Sequence, residues 1–325
     1  MNNAEDIATT NIEPTCVTSK RAHSSLEHIE RLDISVNIEN LSVVFERDIA
    51  LWDISFELHR GDHLVLMGQN GGGKTTLLKS LMGLVKPTAG KIYVYGKSAE
   101  TQKKRVSLIP HASSVNWSFP IRLYDMVIMG TYSRIGWILR PGPTSRHKTA
   151  DALKKLEIYD IRNKQISDLT ASERQRALIA RALVKEAEVF LMDEPLNGAD
   201  TETEKIFWDL LRVLKENGKT VAAAYNNLQT AAGHFDRALL VNVKPIAFGP
   251  VNSVLTEENL RLAFGGKTGF LRSEESSFYN TAAPIPADPV NFSTLPQEIL
   301  PNINSPAQSP ADYEDHGQVA DRSDR

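Results

Sequence analysis

The chain has 325 residues, a formal net charge of −3 and one cysteine, Cys16. This length suits one large domain or two small ones, and the near-neutral charge predicts no nucleic-acid partner. A single cysteine excludes an intrachain disulfide and a thiolate metal cluster, and it favours a reducing cytosol. No apolar run approaches the roughly 18 residues of a membrane span, and the first residues lack the basic and apolar regions of a secretory signal. We therefore expect any membrane role to come through a partner.

Composition divides the chain into three parts. Residues 1–33 are polar and predict a disordered leader, and residues 267–325 are rich in Ser, Pro, Asn and acidic residues and predict a disordered tail. The tail carboxylates have no recognisable ligand spacing, so a solvated tail is favoured over a metal-responsive one. Between them, residues 34–266 alternate apolar strand-like runs with amphipathic helical ones. Such alternation predicts an α/β fold with a mostly parallel sheet covered on both faces.

The predicted elements follow one another in a regular order along this middle part. Strands are predicted over residues 34–45, 50–58, 63–67, 91–95, 105–110, 188–192, 220–224, 238–241 and 245–248. Helices are predicted over residues 75–82, 123–129, 146–157, 203–215 and 257–264, with a further long helix after residues 166–169. Residues 111–143 break the pattern with aromatics and prolines, which predicts either a subdomain with its own small core or a docking surface.

A glycine-rich loop between the third strand and the first helix carries the clearest chemistry. It fits the pattern of a glycine, four residues, then Gly-Lys-Thr. Glycines let the backbone N–H groups approach phosphate oxygens, and the helix that follows adds its positive end. Lys74 would reach the β- and γ-phosphates, and the Thr75 hydroxyl would be a ligand of Mg²⁺. A glycine-rich turn with a chance lysine is disfavoured by the strand and helix that flank it. The loop reads Gly68, Gln69, Asn70, Gly71, Gly72, Gly73, Lys74, Thr75 and Thr76.

Two carboxylates end the apolar strand 188–192. Asp193 and Glu194 would lie at the same edge of the sheet as the loop, where Asp193 would hold Mg²⁺ and Glu194 would polarise an attacking water. The alternative is that the two carboxylates only make the strand end soluble. The phosphate-binding pattern upstream favours the catalytic interpretation.

A third motif lies between the loop and this acidic pair. The run Leu169-Thr170-Ala171-Ser172-Glu173 is followed by Gln175-Arg176 and Ala180-Arg181-Ala182-Leu183. Here the chain resembles the ATP-binding subunits of ABC transporters over about residues 34–266. Four further stretches look like the subfamily that serves manganese, zinc and chelated-iron uptake systems: residues 113–120, 129–130, 136–137 and 240–251.

The resemblance implies a P-loop NTPase core with an antiparallel β subdomain and a small helical subdomain at about residues 111–185. It implies ATP and Mg²⁺ as cofactors, with Phe45 stacking on adenine and with two subunits sandwiching two ATP molecules. Thr170 and Ser172 would then contact the nucleotide of the partner, and residues 197–200 would form a dimer-contact loop. Segment 111–143 would grip a membrane permease.

The implied partners are that permease and a second ATP-binding subunit, either an identical chain or an intact paralogue. An extracytoplasmic metal-binding protein would act indirectly. The implied location is the cytoplasmic side of the plasma membrane.

Three positions depart from the family pattern. His111 replaces a glutamine, and its imidazole is either a ligand for a softer metal or a surface histidine. The signature lacks its glycines; Thr170 and Glu173 predict a capping box, but Glu173 also brings a negative charge close to a polyanion. Asn226 replaces a histidine, and its amide can donate a hydrogen bond but cannot relay a proton.

These motifs predict the ATP-binding, energy-coupling subunit of a metal-ion importer, with slowed hydrolysis. The alternative is a catalytically weak regulatory paralogue that acts within a heterodimer or without transport.

Overall fold

The computed structural model describes residues 33–46, 48–136 and 138–264. The predicted leader before Asp33 and the predicted tail 267–325 lie outside the described residues, as does Trp137. Within the described ranges, no helix is both long and apolar enough to cross a membrane.

The strands of the described residues form two sheets. They are β1 (Ile34–Phe45), β2 (Asp48–His59), β3 (His63–Met67), β4 (Ala89–Val94), β5 (Lys97–Ser98), β6 (Val106–Ile109), β7 (Val189–Asp193), β8 (Thr220–Ala224), β9 (Arg237–Asn242) and β10 (Lys244–Pro250). An antiparallel sheet has the order β2-β1-β4-β5, and the core sheet has the order β10-β9-β3-β8-β7-β6. The core sheet is parallel except for the pairing of β9 with β10.

The helices are α1 (Lys74–Leu81), α2 (Leu123–Ile128), α3 (Tyr132–Ile135), α4 (Pro143–Lys155), α5 (Ala171–Leu183), α6 (Thr201–Glu216), α7 (Leu228–His234), α8 (Val251–Val254) and α9 (Glu257–Ala263). The long predicted helices are present within a few residues of their predicted ends. The short helices α3, α7 and α8 were not predicted, because four to seven residues are too few to show a helical period, and the two residues of β5 are too few to show strand alternation. Local capping explains α7, since Asn227 Oδ1 accepts a hydrogen bond from the N–H of Thr230.

Each face of the core sheet packs against a different hydrophobic core. Successive residues of β3 belong alternately to one core and to the other. Leu64 and Leu66 belong to a core shared with the antiparallel sheet and α1. Val65 and Met67 belong to a second core, which includes residues of α2, α4, α5 and α6. Successive side chains of a strand point to opposite faces, so an all-apolar strand is buried on both. The prediction of a sheet covered on both faces is confirmed, and one of the two covers is largely a second sheet.

His63 begins β3 and is 1 % exposed. Burial lowers the pKa of His63 to about 4, with smaller effects from Asp236, Lys215 and Asp62. In the unfolded chain His63 takes up a proton below about pH 6.5, whereas in the folded protein it stays neutral down to about pH 4. The free energy of unfolding contributed at neutral pH is therefore lost as the pH falls from 6.5 towards 4.

Between pH 6.5 and 4 this effect lowers the free energy of unfolding by roughly 3 kcal/mol, and we expect His63→Leu to remove most of that loss. The measurement is the midpoint of denaturant unfolding at several values between pH 7.5 and 4.5. His147→Leu is the matched control, because the side chain of His147 is 79 % exposed. An identical acid sensitivity in native and His63→Leu proteins would contradict the expectation.

A candidate nucleotide site at the carboxyl ends of the core strands

The glycine-rich loop and the acidic pair converge on one cleft. Strands β3, β8 and β7 are parallel neighbours, so the loop after β3 and the end of β7 lie at the same edge of the sheet. The cleft has a volume of about 300 Å³. It is lined by Ala50, Asn70, Gly71, Gly73, Lys74, Thr75, Thr76, His111, Asp193 and Glu194.

Lys74 lies at the start of α1 and is only 6 % exposed. Its Nζ donates hydrogen bonds to the carbonyl oxygens of Gly68, at 2.7 Å, and Gln69, at 3.1 Å. Burial lowers the pKa of Lys74, against the opposing influence of the Glu194 and Asp193 carboxylates. An ammonium group has three N–H donors, so the two loop carbonyls leave one donor for a phosphate oxygen.

Thr75 and Asp193 form the oxygen pair that the sequence predicts. The Thr75 hydroxyl lies 2.9 Å from Asp193 Oδ2 and 3.1 Å from Oδ1. Asp193 is 8 % exposed, and burial raises the pKa of its carboxyl although the hydrogen bond from Thr75 acts in the other direction. A hydroxyl and a carboxylate are hard oxygen donors, which is the chemistry that Mg²⁺ requires. These two residues therefore fit the predicted ion.

The loop glycines are required by the protein itself as well as by a ligand. A Cβ at Gly68, whose φ is +147°, would lie 2.0 Å from the carbonyl oxygen of Val241. A Cβ at Gly73 would lie 2.5 Å from the carbonyl oxygen of Ala50. At Gly71, which lines the cleft, a Cβ would meet no atom within 4 Å. A φ of +84°, in the left-handed region, explains Gly71, whereas close approach of backbone to backbone explains Gly68 and Gly73.

Asn242, at the end of β9, accepts a hydrogen bond from the loop, and this role was not predicted from the sequence. Gln69 Nε2 donates to Asn242 Oδ1 at 2.7 Å, and the Gln69 N–H donates to the carbonyl of Ala263 at 3.2 Å. Gln69 is therefore used to hold the loop, and its side chain does not line the cleft.

Glu194 is held in one orientation by its neighbours. Its φ of +47° is in the left-handed region, which is unusual for a residue with a Cβ and is found most often at functional sites. Asn197 Nδ2 donates to Glu194 Oε2 at 3.0 Å, and His111 Nε2 lies 3.5 Å from the same oxygen. Asn197 was predicted as part of a dimer-contact loop and not as a partner of Glu194.

His111 lies in the cleft, but its contacts do not support the predicted metal role. Nδ1 accepts a hydrogen bond from the Ser113 N–H at 3.2 Å and lies 2.6 Å from Ser113 Oγ. Nε2 lies 3.0 Å from Asn197 Nδ2 and faces Glu194. Nδ1 is therefore occupied by the Ser113 N–H, and Nε2, which then carries the proton of the neutral ring, has no lone pair to offer a metal. Within the described ranges, no cluster of three or more His, Cys, Asp or Glu residues could hold a metal ion.

The signature segment begins α5 with the predicted capping box. The Glu173 N–H donates to Thr170 Oγ1 at 3.2 Å, and the Thr170 N–H donates to Glu173 Oε2 at 2.7 Å. Lys164 Nζ pairs with the same carboxylate oxygen at 3.0 Å. Partial burial acts to raise the pKa of Glu173, but the hydrogen bond from Thr170 and the pairing with Lys164 together lower it. The chain's own side chains thus occupy two N–H groups at the helix start, and Lys164 offsets the charge of Glu173.

Ser172 connects this segment to the loop 197–200. Its Oγ accepts a hydrogen bond from the Asp200 N–H at 3.1 Å, and Asp200 Oδ1 accepts one from the Thr203 N–H at 2.8 Å. Hydrogen bonds from Thr203, and then from Ser172, lower the pKa of Asp200 to about 2. Asp200 therefore caps α6 as an ionised carboxylate.

Seven predicted site residues do not line the cleft: Gly68, Gln69 and Gly72 of the loop, Thr170 and Ser172 of the signature segment, and Phe45 and Asn226. Phe45 ends β1 opposite Asp48, and 48 % of its surface is exposed. Asn226 is exposed two residues beyond β8, and it makes no hydrogen bond within the described part of the chain. The adenine-stacking role of Phe45 and the catalytic role of Asn226 therefore stay predictions.

Comparison with known proteins identifies similar chains. A family model described as "ABC transporter" matches residues 51–197. The zinc transport system ATP-binding protein TroB of Treponema pallidum is 38 % identical over 252 residues, which cover 77 % of this chain and 95 % of that one. The manganese transport system ATP-binding protein MntB of Bacillus subtilis is 40 % identical over 239 residues, covering 74 % and 96 %.

Among solved structures, one described as an inward-facing ABC transporter of metal-chelate type has a TM-score of 0.63 and is 28 % identical to this chain. The match covers 71 % of this chain and 89 % of that one.

Proposed function

This chain belongs to the ABC transporter family of ATP-binding proteins, and we propose that it binds Mg-ATP in the cleft described above to drive uptake of a metal ion through a membrane permease. Subunits of this family are ATPases that work with membrane permease components and form dimers. The observation that carries the proposal is the convergence of Lys74 with the Thr75–Asp193 pair on one cleft at the end of the parallel strands.

Each residue of the cleft has a separate task in this proposal. Lys74 directs its remaining N–H donor at a terminal phosphate oxygen, and the N–H groups of Asn70, Gly71 and Gly73, which line the cleft, face the other phosphates. Thr75 and Asp193 hold Mg²⁺, which when bound neutralises phosphate charge. Glu194 orients the attacking water and accepts its proton. Because subunits of this family form dimers, the signature of a second subunit would complete the site.

Transport of manganese or zinc is proposed from the named functions of TroB and MntB. The permease and an extracytoplasmic metal-binding protein would select the ion, and this chain would supply energy from the cytoplasmic face of the membrane. The second subunit is either another copy of this chain or an intact paralogue.

Segment 111–143 provides the surface that would contact the permease. Trp117 is held inside the subdomain, where its Nε1 donates to the carbonyl of Ala112 at 2.8 Å and the Arg174 guanidinium lies 5.1 Å from its ring centre. Other apolar side chains of the segment face outward: Phe119, Met129, Ile138 and Leu139 are 55, 41, 85 and 64 % exposed. The segment thus has both a small core and exposed apolar side chains, and the exposed side chains support the proposal that it docks against a partner.

We expect Ile138→Asp with Leu139→Asp to abolish stimulation of ATP hydrolysis by the permease and to leave ATP affinity unchanged. A charge on an apolar docking surface must be desolvated on binding, which costs several kcal/mol. The measurement is ATPase activity of the purified chain with and without the permease encoded beside it, reconstituted in vesicles. Leu84→Asp is the control, because Leu84 is 60 % exposed and lies outside the segment. Unchanged stimulation in the double variant would show that the permease does not dock here.

A regulatory subunit with weak catalysis is the second candidate function. It is favoured by the capping box, because the Thr170 and Glu173 N–H groups are already bonded within the chain. Under this alternative, changing Ala171 and Ser172 to glycine, Glu173 to glutamine and Asn226 to histidine should raise hydrolysis by about a hundredfold, the value of one preorganised donor. A native chain that already reaches the rate of this variant in the presence of the permease would rule the alternative out.

A further inference from the structure

We propose that His111 is a positioning residue for ATP hydrolysis, which together with Asn197 holds the Glu194 carboxylate in the orientation needed to direct water at the γ-phosphate. This inference rests on the proposed function. It gives His111 the task of orienting the base, whereas Asn226 is exposed beyond β8 and does not line the cleft.

The core sheet itself places His111 beside Glu194. Strands β6 and β7 are parallel neighbours, with Ile109 opposite Met192. Counting two residues onward along each chain brings His111 opposite Glu194. The two residues lie just beyond the ends of β6 and β7, where His111 Nε2 is 3.5 Å from Glu194 Oε2.

The imidazole is locked by the turn that follows it. Residues Ala112–Ser114 form a 3₁₀ turn, and the Ser113 N–H donates to His111 Nδ1. Ser114 Oγ donates to the His111 carbonyl at 2.7 Å. Since Nδ1 accepts a hydrogen bond from a backbone N–H, the neutral ring carries its proton on Nε2. That proton is on the side of the ring that faces Glu194.

Asn197 completes the arrangement from a different element. Its Nδ2 donates to Glu194 Oε2 at 3.0 Å, and its backbone N–H donates to the Glu194 carbonyl at 3.1 Å. Asn197 Nδ2 and His111 Nε2 lie 3.0 Å apart, but both are donors, so no hydrogen bond joins them and they face the same carboxylate oxygen. The 3.5 Å from His111 Nε2 to Glu194 Oε2 needs to shorten by about half an ångström to reach hydrogen-bonding distance, a change typical of sites that tighten around substrate. With Oε2 held from two sides, Oε1 is left to orient water.

The arrangement has the form of a base and its orienting partners. Glu194 adopts a left-handed backbone conformation, and its carboxylate oxygen Oε2 faces the side chains of Asn197 and His111. Within the described part of the chain, His111 is the histidine that lines the cleft. A residue that merely supported the fold would not need to contact the catalytic carboxylate oxygen.

The test is a double-mutant cycle on the full chain assembled with its permease, comparing native protein, His111→Ala, Asn197→Ala and the double variant. We expect each single variant to lower kcat by about a hundredfold while the KM for ATP changes less than about threefold. The double variant should be no slower than the slower single variant, because residues that act as a unit are not additive.

The controls separate this inference from the proposed function. His147→Ala, at an exposed position outside the cleft, should hydrolyse ATP at the native rate. Fluorescent ATP binding and thermal unfolding are measured on every variant, and Asn197→Ser replaces Asn197→Ala if the latter does not fold. A kcat for His111→Ala within twofold of native, additive losses in the double variant, or a native complex that binds ATP without hydrolysing it would each overturn the inference. A native chain that does not bind ATP would instead refute the proposed function.

Discussion

Replacing Lys74 with alanine is expected to weaken Mg-ATP binding by roughly a hundredfold, since hydrogen bonds to charged groups contribute about 1.5–3 kcal/mol. The ammonium is buried and fixed by the carbonyls of Gly68 and Gln69, so a bound phosphate meets a preorganised charge. The variant also loses the hydrogen bonds from Lys74 Nζ to the carbonyl oxygens of Gly68 and Gln69. The loop would then be less ordered and its N–H groups would bind the remaining phosphates more weakly.

Calorimetric titration of the native chain, Lys74→Ala and Lys79→Ala with Mg-ATP measures this effect. Lys79→Ala is a matched control because Lys79 is an exposed lysine on the same helix and lies outside the cleft lining. An affinity of Lys74→Ala equal to that of the control would mean that the glycine-rich loop does not hold the triphosphate.

The second large effect is expected for Glu194→Gln, which should lower hydrolysis by about a thousandfold and retain bound ATP. Glutamine keeps the shape of the side chain and can still accept the hydrogen bond from Asn197. It carries no negative charge and cannot take a proton from water, so the chemical step fails while the binding residues stay in place. ATP should therefore accumulate in the cleft.

Single-turnover hydrolysis in the presence of the permease, with the nucleotide retained after gel filtration, measures both parts of this expectation. Glu188→Gln is the matched control, because Glu188 directly precedes β7, at the end of the strand opposite to the cleft, and pairs with Arg105. Equal rates for native and Glu194→Gln proteins would show that Glu194 is not the base and would favour the regulatory alternative.

The central strands and the phosphate loop could be predicted from the sequence because each depends on local properties. The apolar run before Gly68, the glycines and the amphipathic run after Lys74 define a strand, a loop and a helix without reference to the rest of the chain. The meeting of Thr75 with Asp193 followed from a general rule, since parallel strands present their carboxyl ends at one edge.

The network around Glu194 could not be predicted, because it depends on contacts between distant parts of the chain. The register of β6 with β7 brings His111 and Glu194 together, and the left-handed conformation of Glu194 turns its carboxylate towards Asn197. Nor did the sequence indicate that Lys164 pairs with Glu173, whose charge was expected to face a polyanion. Periodicity and motif spacing do not encode which side chains meet across such turns.

The most direct measurement of the central claim is calorimetric titration of the folded native chain with ATP, in the presence of Mg²⁺ and again with excess EDTA. The cleft geometry predicts saturable binding of one nucleotide per chain that weakens when Mg²⁺ is removed, because Thr75 and Asp193 provide its oxygen ligands. A folded protein that releases no heat and shows no affinity for Mg-ATP would contradict the account.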